Sequence, residues 1–249
     1  GAGARPGPAP LLPLRRFIVG CAGADTAHLQ LRAALPEPSP ALDGKKSWSL
    51  RLLCEALSML EGPLSMMIRG KGLAYGASVG FSQYDNAVTL DLWECTNVRS
   101  GVENALAVIR GALKDDCLTA FQLDNARGSL AFQIKGKRAT PTGIVSAAVT
   151  AASRGWHSAS EVCDWEGQLA SVTQDDVANA HKEFLMRLCD PSQVIACLVC
   201  DPGDCKQKAK GLATALQVDP SSVRVKEKLS ECYKIVDDLI GVACGKLPE

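Results

Sequence analysis

The side chains able to do chemistry in this sequence are few and scattered. It holds three histidines, His28, His157 and His181. None forms a His-x-x-Glu-His or His-Glu-x-x-His pair, so a helix-borne zinc site of that kind is absent. His157 and Glu161 stand one helical turn apart without a third ligand, which reads as a solvated helix start. Cys197-x-x-Cys200, with Cys205 close behind, has the spacing of a zinc-binding pair. Val194 to Cys200, however, reads as a buried strand, in which positions i and i+3 face opposite ways, so the two thiols diverge. Gly76-Ala77-Ser78-Val79-Gly80 fits the Gly-x-Ser-x-Gly of a nucleophile elbow, but that elbow needs a strand, a sharp turn and then a helix. Ser78 instead falls within a strand that runs on into a hairpin. Gly70-x-Gly72-x-x-x-Gly76 lacks dinucleotide-binding spacing, and no Gly-Lys-Ser/Thr follows a glycine-rich loop. No catalytic residue, metal ligand or cofactor site is therefore expected on this chain alone.

Composition bounds the remaining classes. The 249 residues carry 27 Lys+Arg against 27 Asp+Glu, which removes the basic footprint of a nucleic-acid binder. Apolar residues at 47% and charged residues at 22% suit an ordinary globular domain with a real core. No run approaches the ~20 apolar residues that span a bilayer. Eleven cysteines are many, but most lie in apolar periodic segments, such as Cys54, Cys197 and Cys200. They read as reduced core thiols in a reducing compartment. Residues 1–15 are rich in Gly, Pro and Ala, and the opening GAGARPGPAPLLPLRR has three arginines and no acid, the pattern of an extended or disordered leader of organellar type. Together these point to a mitochondrial or other reducing intracellular location.

The elements that must position any site follow from periodicity. Strands are expected at Arg16–Ala22 and Ala27–Leu35, the latter alternating Leu29, Leu31, Ala33 and Leu35 inward. A helix over Ser49–Leu60 carries Leu50, Leu53, Cys54, Leu57 and Leu60 on one stripe. Pro63 opens a short second helix that ends near Arg69 and is stopped by Gly70 and Gly72. AYGASVGFSQ and AVTLDLWECT form a strand pair turned at Tyr84-Asp85-Asn86. Helices are expected at Val98–Leu113, Cys117–Lys135 and Thr142–Ser153, and a long one opens at Thr173 with an acid at Asp176. Ser192–Cys200 reads as a strand, Pro202–Leu216 as a helix and Val223–Leu229 as a final strand. The expected fold is α+β, an antiparallel sheet covered by helices on one face, over 16–231, with a helical tail at 232–249.

Taken alone, Arg69 is a cation suited to a helix C-terminus, and Tyr75 is an ordinary strand aromatic. The segment that holds them says more. Glu61-Gly62-Pro63-Leu64, followed by Arg69-Gly70-Lys71-Gly72-Leu73-Ala74-Tyr75-Gly76, resembles the pitrilysin (insulinase) family of zinc metallopeptidases. More closely it resembles the last, zinc-less domain of the presequence-protease branch, a LuxS-like metallohydrolase domain. Phe17-Ile18-Val19-Gly20-Cys21, Thr140-Pro141-Thr142 and Val172-Thr173-Gln174-Asp175-Asp176-Val177 fall where that domain has counterparts, so the similarity covers roughly 15–229.

The resemblance implies a clamshell peptidase. One half holds zinc and an activated water through His-x-x-Glu-His and a distal Glu, and the zinc-less half closes over the peptide. Its Arg and Tyr, matched here by Arg69 and Tyr75, bind the substrate backbone near the scissile carbonyl. The implied partner is a zinc-bearing half of the same family, with peptide as substrate. The alternative is a non-catalytic, pitrilysin-like structural subunit of a larger mitochondrial complex, since related subunits scaffold respiratory complexes.

Overall fold

A computed structural model describes residues 16–36, 44–82, 85–114, 118–153 and 165–227. The leader at 1–15, the tail at 232–249, the His157–Glu161 pair and the turn residue Tyr84 fall outside them. Strands β1 (Arg16–Gly20) and β2 (Ala27–Ala34) lead into helices α1 (Lys45–Ser58) and α2 (Pro63–Ile68). The hairpin β3 (Ala74–Ser82) and β4 (Ala87–Cys95) follows, then α3 (Val98–Gly111), α4 (Ala120–Arg138) and α5 (Pro141–Ser153). The remainder is α6 (Trp165–Ala170), α7 (Gln174–Glu183), β5 (Val194–Cys200), α8 (Cys205–Leu216) and β6 (Arg224–Lys226), joined through short 3-10 turns.

The strands form a six-stranded sheet in the order β3-β4-β2-β5-β1-β6. β2 shows the alternation read from its sequence: Ala27, Leu29, Leu31 and Ala33 are buried, while His28, Gln30 and Ala34 are exposed. That pattern is one face on the core and one on water. α1, α2, α3 and α8 lie against the buried face. The α+β class with helices over the sheet is therefore as expected. The sheet itself is mixed rather than wholly antiparallel, because β1 runs parallel to both β5 and β6. The cause is topological. α8 carries the chain from β5 back to start β6 in the same direction, and β1 lies between these two strands; parallel neighbours need such a crossover.

Element boundaries moved where capping decides them. α1 starts at Lys45 rather than Ser49, just after Gly44 at φ +73°. It stops at Ser58, which leaves Leu60 exposed instead of on the core stripe. α4 starts after Thr119, whose side chain and that of Gln122 form a reciprocal capping box. β6 covers Arg224–Lys226, each paired with β1, and the end of the expected strand at 228–229 lies outside the described residues. The core gathers Ile18, Leu31, Leu50, Leu53, Leu57, Leu64, Ile68, Leu90, Leu92 and Leu106, all essentially without solvent contact.

A candidate substrate-contact site at the sheet edge

β3 is an edge strand, and the turn before it sets its first exposed side chain. Proline at the first position of α2 supplies a fixed φ and needs no donor. The helix ends at Ile68, and Arg69 N–H donates to Ser65 O at 2.9 Å. The chain then reverses within five residues. Gly72 N–H donates to Arg69 O and Leu73 N–H to Ile68 O, each at 3.0 Å. Gly72 sits at φ +64°, a left-handed conformation that favours glycine. Thr96 locks the turn from outside: its N–H donates to Leu73 O at 3.0 Å. Its hydroxyl lies 3.1 Å from both Gly72 O and Leu73 O. Lys71 is held against α3, its Nζ donating to Asn104 Oδ1 at 3.1 Å.

The turn brings the two expected site residues together. The Arg69 guanidinium carbon lies 5.0 Å from the centroid of the Tyr75 ring, within cation–π range. Arg69 is exposed, and Tyr75 keeps 64% of its surface in water. The guanidinium thus reaches across the turn to the aromatic ring, and Tyr75 is not the half-buried strand aromatic that periodicity alone suggests. Chemically the pair offers a permanent cation with several N–H donors, beside a phenol that donates or accepts.

Opposite Tyr75 the sheet is irregular. Against β2, Ala27 pairs with Cys95 and Leu29 with Leu92, so Trp93 and Glu94 face the single residue His28. This is a β-bulge, and Glu94 adopts φ +50° within it. After the bulge Cys95 returns to the core, whereas Trp93 and Glu94 stay exposed. Trp93 pairs with Gly76, and its ring lies against that glycine: a Cβ at position 76 would fall 2.7 Å from Cε3. The sequence does carry a trace of this. Leu92-Trp93 breaks the alternation of Val88, Leu90 and Leu92, and sequence reasoning passed over it.

The other chemical candidates resolve into structural roles. Ser78 lies inside β3, paired with Asp91, with no helix after it. Cys200 points into the core while Cys197 is half-buried on the opposite side, as the strand reading required. The Cys200 and Cys205 sulfurs approach to 3.6 Å. Burial, with the neighbouring Cys205 next in importance, pushes the Cys200 thiol up to about 12. Cys54 is likewise driven to about 12 by desolvation, so both are inert core thiols. His181 is buried with Nε2 2.7 Å from Ile109 O. Among the described residues no three His, Cys, Asp or Glu side chains converge as a metal site. His28 is exposed on β2, whereas His181 is buried. No helix of the described residues is long and apolar enough to cross a membrane.

No protein-family model matches the chain. In sequence it is 30% identical over 93 residues to the uncharacterized protein C05D11.1 of Caenorhabditis elegans, a stretch covering 37% of this chain. That stretch is 9% of the relative, so the chain matches under a tenth of its length. In structure it resembles the inactive peptidase domain of a candidate zinc protease from Bordetella parapertussis, with TM-score 0.58 and 17% identity. That likeness covers 72% of this chain and 92% of the other. It also resembles a predicted insulinase-family protease from Yersinia pestis, with TM-score 0.53 and 16% identity over 84% of this chain and 47% of the other. At these identities the common property is the fold.

Proposed function

We propose that this chain is the zinc-less, substrate-clamping part or subunit of a presequence-protease-like zinc metallopeptidase of the pitrilysin family. In this reading zinc and general base come from another domain or chain. The observation that carries the reading is the exposed Arg69–Tyr75 pair at the start of an edge strand. The shared fold of an insulinase-family protease and of an inactive peptidase domain supports it. In this role the guanidinium and phenol donate hydrogen bonds to a carbonyl of the bound peptide and orient its backbone. When the metal is bound in the other half, it supplies Lewis-acid polarisation and an activated water; this chain's residues add fixed donors where negative charge develops. A mitochondrial or other reducing site of action is part of the proposal and rests on free thiols such as those of Cys54 and Cys200. The test is to combine the chain with its zinc-bearing half and assay cleavage of unstructured peptides. Cleavage by the combination and not by either part supports the reading, and its absence refutes it.

A second reading has an observation of its own. On α4 and α5, Phe132, Ile144, Val145 and Val149 are exposed large apolar residues. No charged residue lies between Ala139 and Ser153. Such faces are usually covered by another polypeptide, which suits a non-catalytic structural subunit. Native mass measurement with metal analysis separates the two: one zinc-bearing family partner favours the peptidase, many unrelated subunits the scaffold.

A further inference from the structure

We infer that Trp93 is the floor of a side-chain subsite that selects an aromatic or branched aliphatic residue of the bound peptide, next to the backbone held by Arg69 and Tyr75. The inference rests on the clamp reading above and deepens it. Trp93 keeps 43% of its surface exposed although it sits within a strand. One side of its six-membered ring is sealed by the backbone at Gly76, where any Cβ would collide. Gly76 directly follows Tyr75, and cross-strand partners in a sheet lie only about 5 Å apart. The indole therefore stands within one or two residues of the backbone that Tyr75 contacts, given a rise of ~3.4 Å per residue in an extended peptide.

The surroundings decide what the ring accepts. Two residues along β4, the Asp91 carboxylate is already engaged: Gln30 Nε2 donates to it at 2.7 Å and the Thr89 hydroxyl at 3.1 Å. Gly76, Ser78 and Gly80 on β3 are half-buried and carry little or no side chain. Arg69, stacked on the Tyr75 ring that precedes Gly76, is a cation that disfavours a basic side chain nearby. An apolar side chain lying on the indole loses no hydrogen bond, and the neighbouring Glu94 is exposed to water. Glu94, next to Trp93 in the chain, is held at φ +50°, a strained conformation for a residue with a Cβ. Trp93 faces water by alternation with buried Leu92, and the bulge at Glu94 returns Cys95 to the core.

The test measures equilibrium affinity, by fluorescence polarisation, of the full-length protein for labelled extended peptides that differ only in Phe, Leu or Ala at one scanned position. Wild type should prefer Phe and Leu over Ala at one position by about 10-fold or more. Trp93→Ala should abolish that preference and leave the Ala peptide within about twofold. Gly76→Ala, whose methyl displaces the ring, should do the same, while Trp93→Phe keeps most of it. An unchanged Phe-to-Ala ratio in Trp93→Ala, or no preference in wild type, overturns the inference. The paired Arg69→Ala, Tyr75→Phe variant should weaken all three peptides equally. If that variant binds them as wild type does while Trp93→Ala loses the preference, the clamp reading fails and the subsite stands. If wild type binds none of the peptides, both fall.

Discussion

The guanidinium of Arg69 and the ring of Tyr75 stack 5.0 Å apart across a turn held by Gly72 and Thr96. Both side chains are in water, so each helps to place the other without help from the core. Because the contact is exposed, its contribution to stability is small, about 0.5–1 kcal/mol. Tyr75→Phe keeps the ring and should unfold at the wild-type urea midpoint, and Tyr75→Ala should lose no more than that amount. A larger loss would mean that the pair is a structural element rather than a site.

Gly72 is the hinge of this arrangement. Any side chain at φ +64° costs roughly 1–2 kcal/mol in the left-handed region. Gly72→Ala should lower stability by about that amount in urea titration. It should also weaken peptide binding, because Arg69 and Tyr75 flank the turn that it distorts. Wild-type stability in this variant would show that the turn is not under the constraint described.

α1 and α7 are joined by charge. Lys45 Nζ stands 2.6 Å from Asp176 Oδ2, a carboxylate that also takes part in the capping of α7 by Thr173. The Lys45 contact first, and the Thr173 hydroxyl and N–H next, hold the Asp176 carboxyl down from its ordinary 3.8 to about 2. A depressed carboxyl stabilises the fold above its unfolded pKa and stops doing so as pH falls through its folded value. The contribution should be complete above pH about 4 and vanish towards pH about 2. Asp176→Asn should therefore be less stable than wild type at pH 7, and the two should converge near pH 2. A constant difference across that window would contradict the assignment.

Much of this was legible in residues, for physical reasons. Alternation in β2, the Pro63 start of α2 and the Thr173-x-x-Asp176 cap are local signals, and each started the element it specifies, although the helix after Thr173, expected to be long, ends after 10 residues at Glu183. Arg69 and Tyr75 could be singled out only through the resemblance of the Glu61–Gly76 segment to the pitrilysin family, since taken alone they read as a helix-end cation and a strand aromatic. The parallel pairing of β1 was not legible, since an apolar run such as Phe17-Ile18-Val19 fits a central strand in either direction. Strand direction is decided by the crossover through α8, far along the chain. Trp93 escaped for a related reason. A bulge depends on the two partner strands together, and its only trace in β4 was the adjacent pair Leu92-Trp93.

The most direct measurement is turnover of an unstructured peptide by the chain combined with the zinc-bearing half proposed for it, comparing wild type with the Arg69→Ala, Tyr75→Phe double variant. If these side chains grip the peptide as its carbonyl takes on charge, turnover should fall about 10²–10³-fold while the fold stays intact. Undiminished turnover in the double variant would contradict the account.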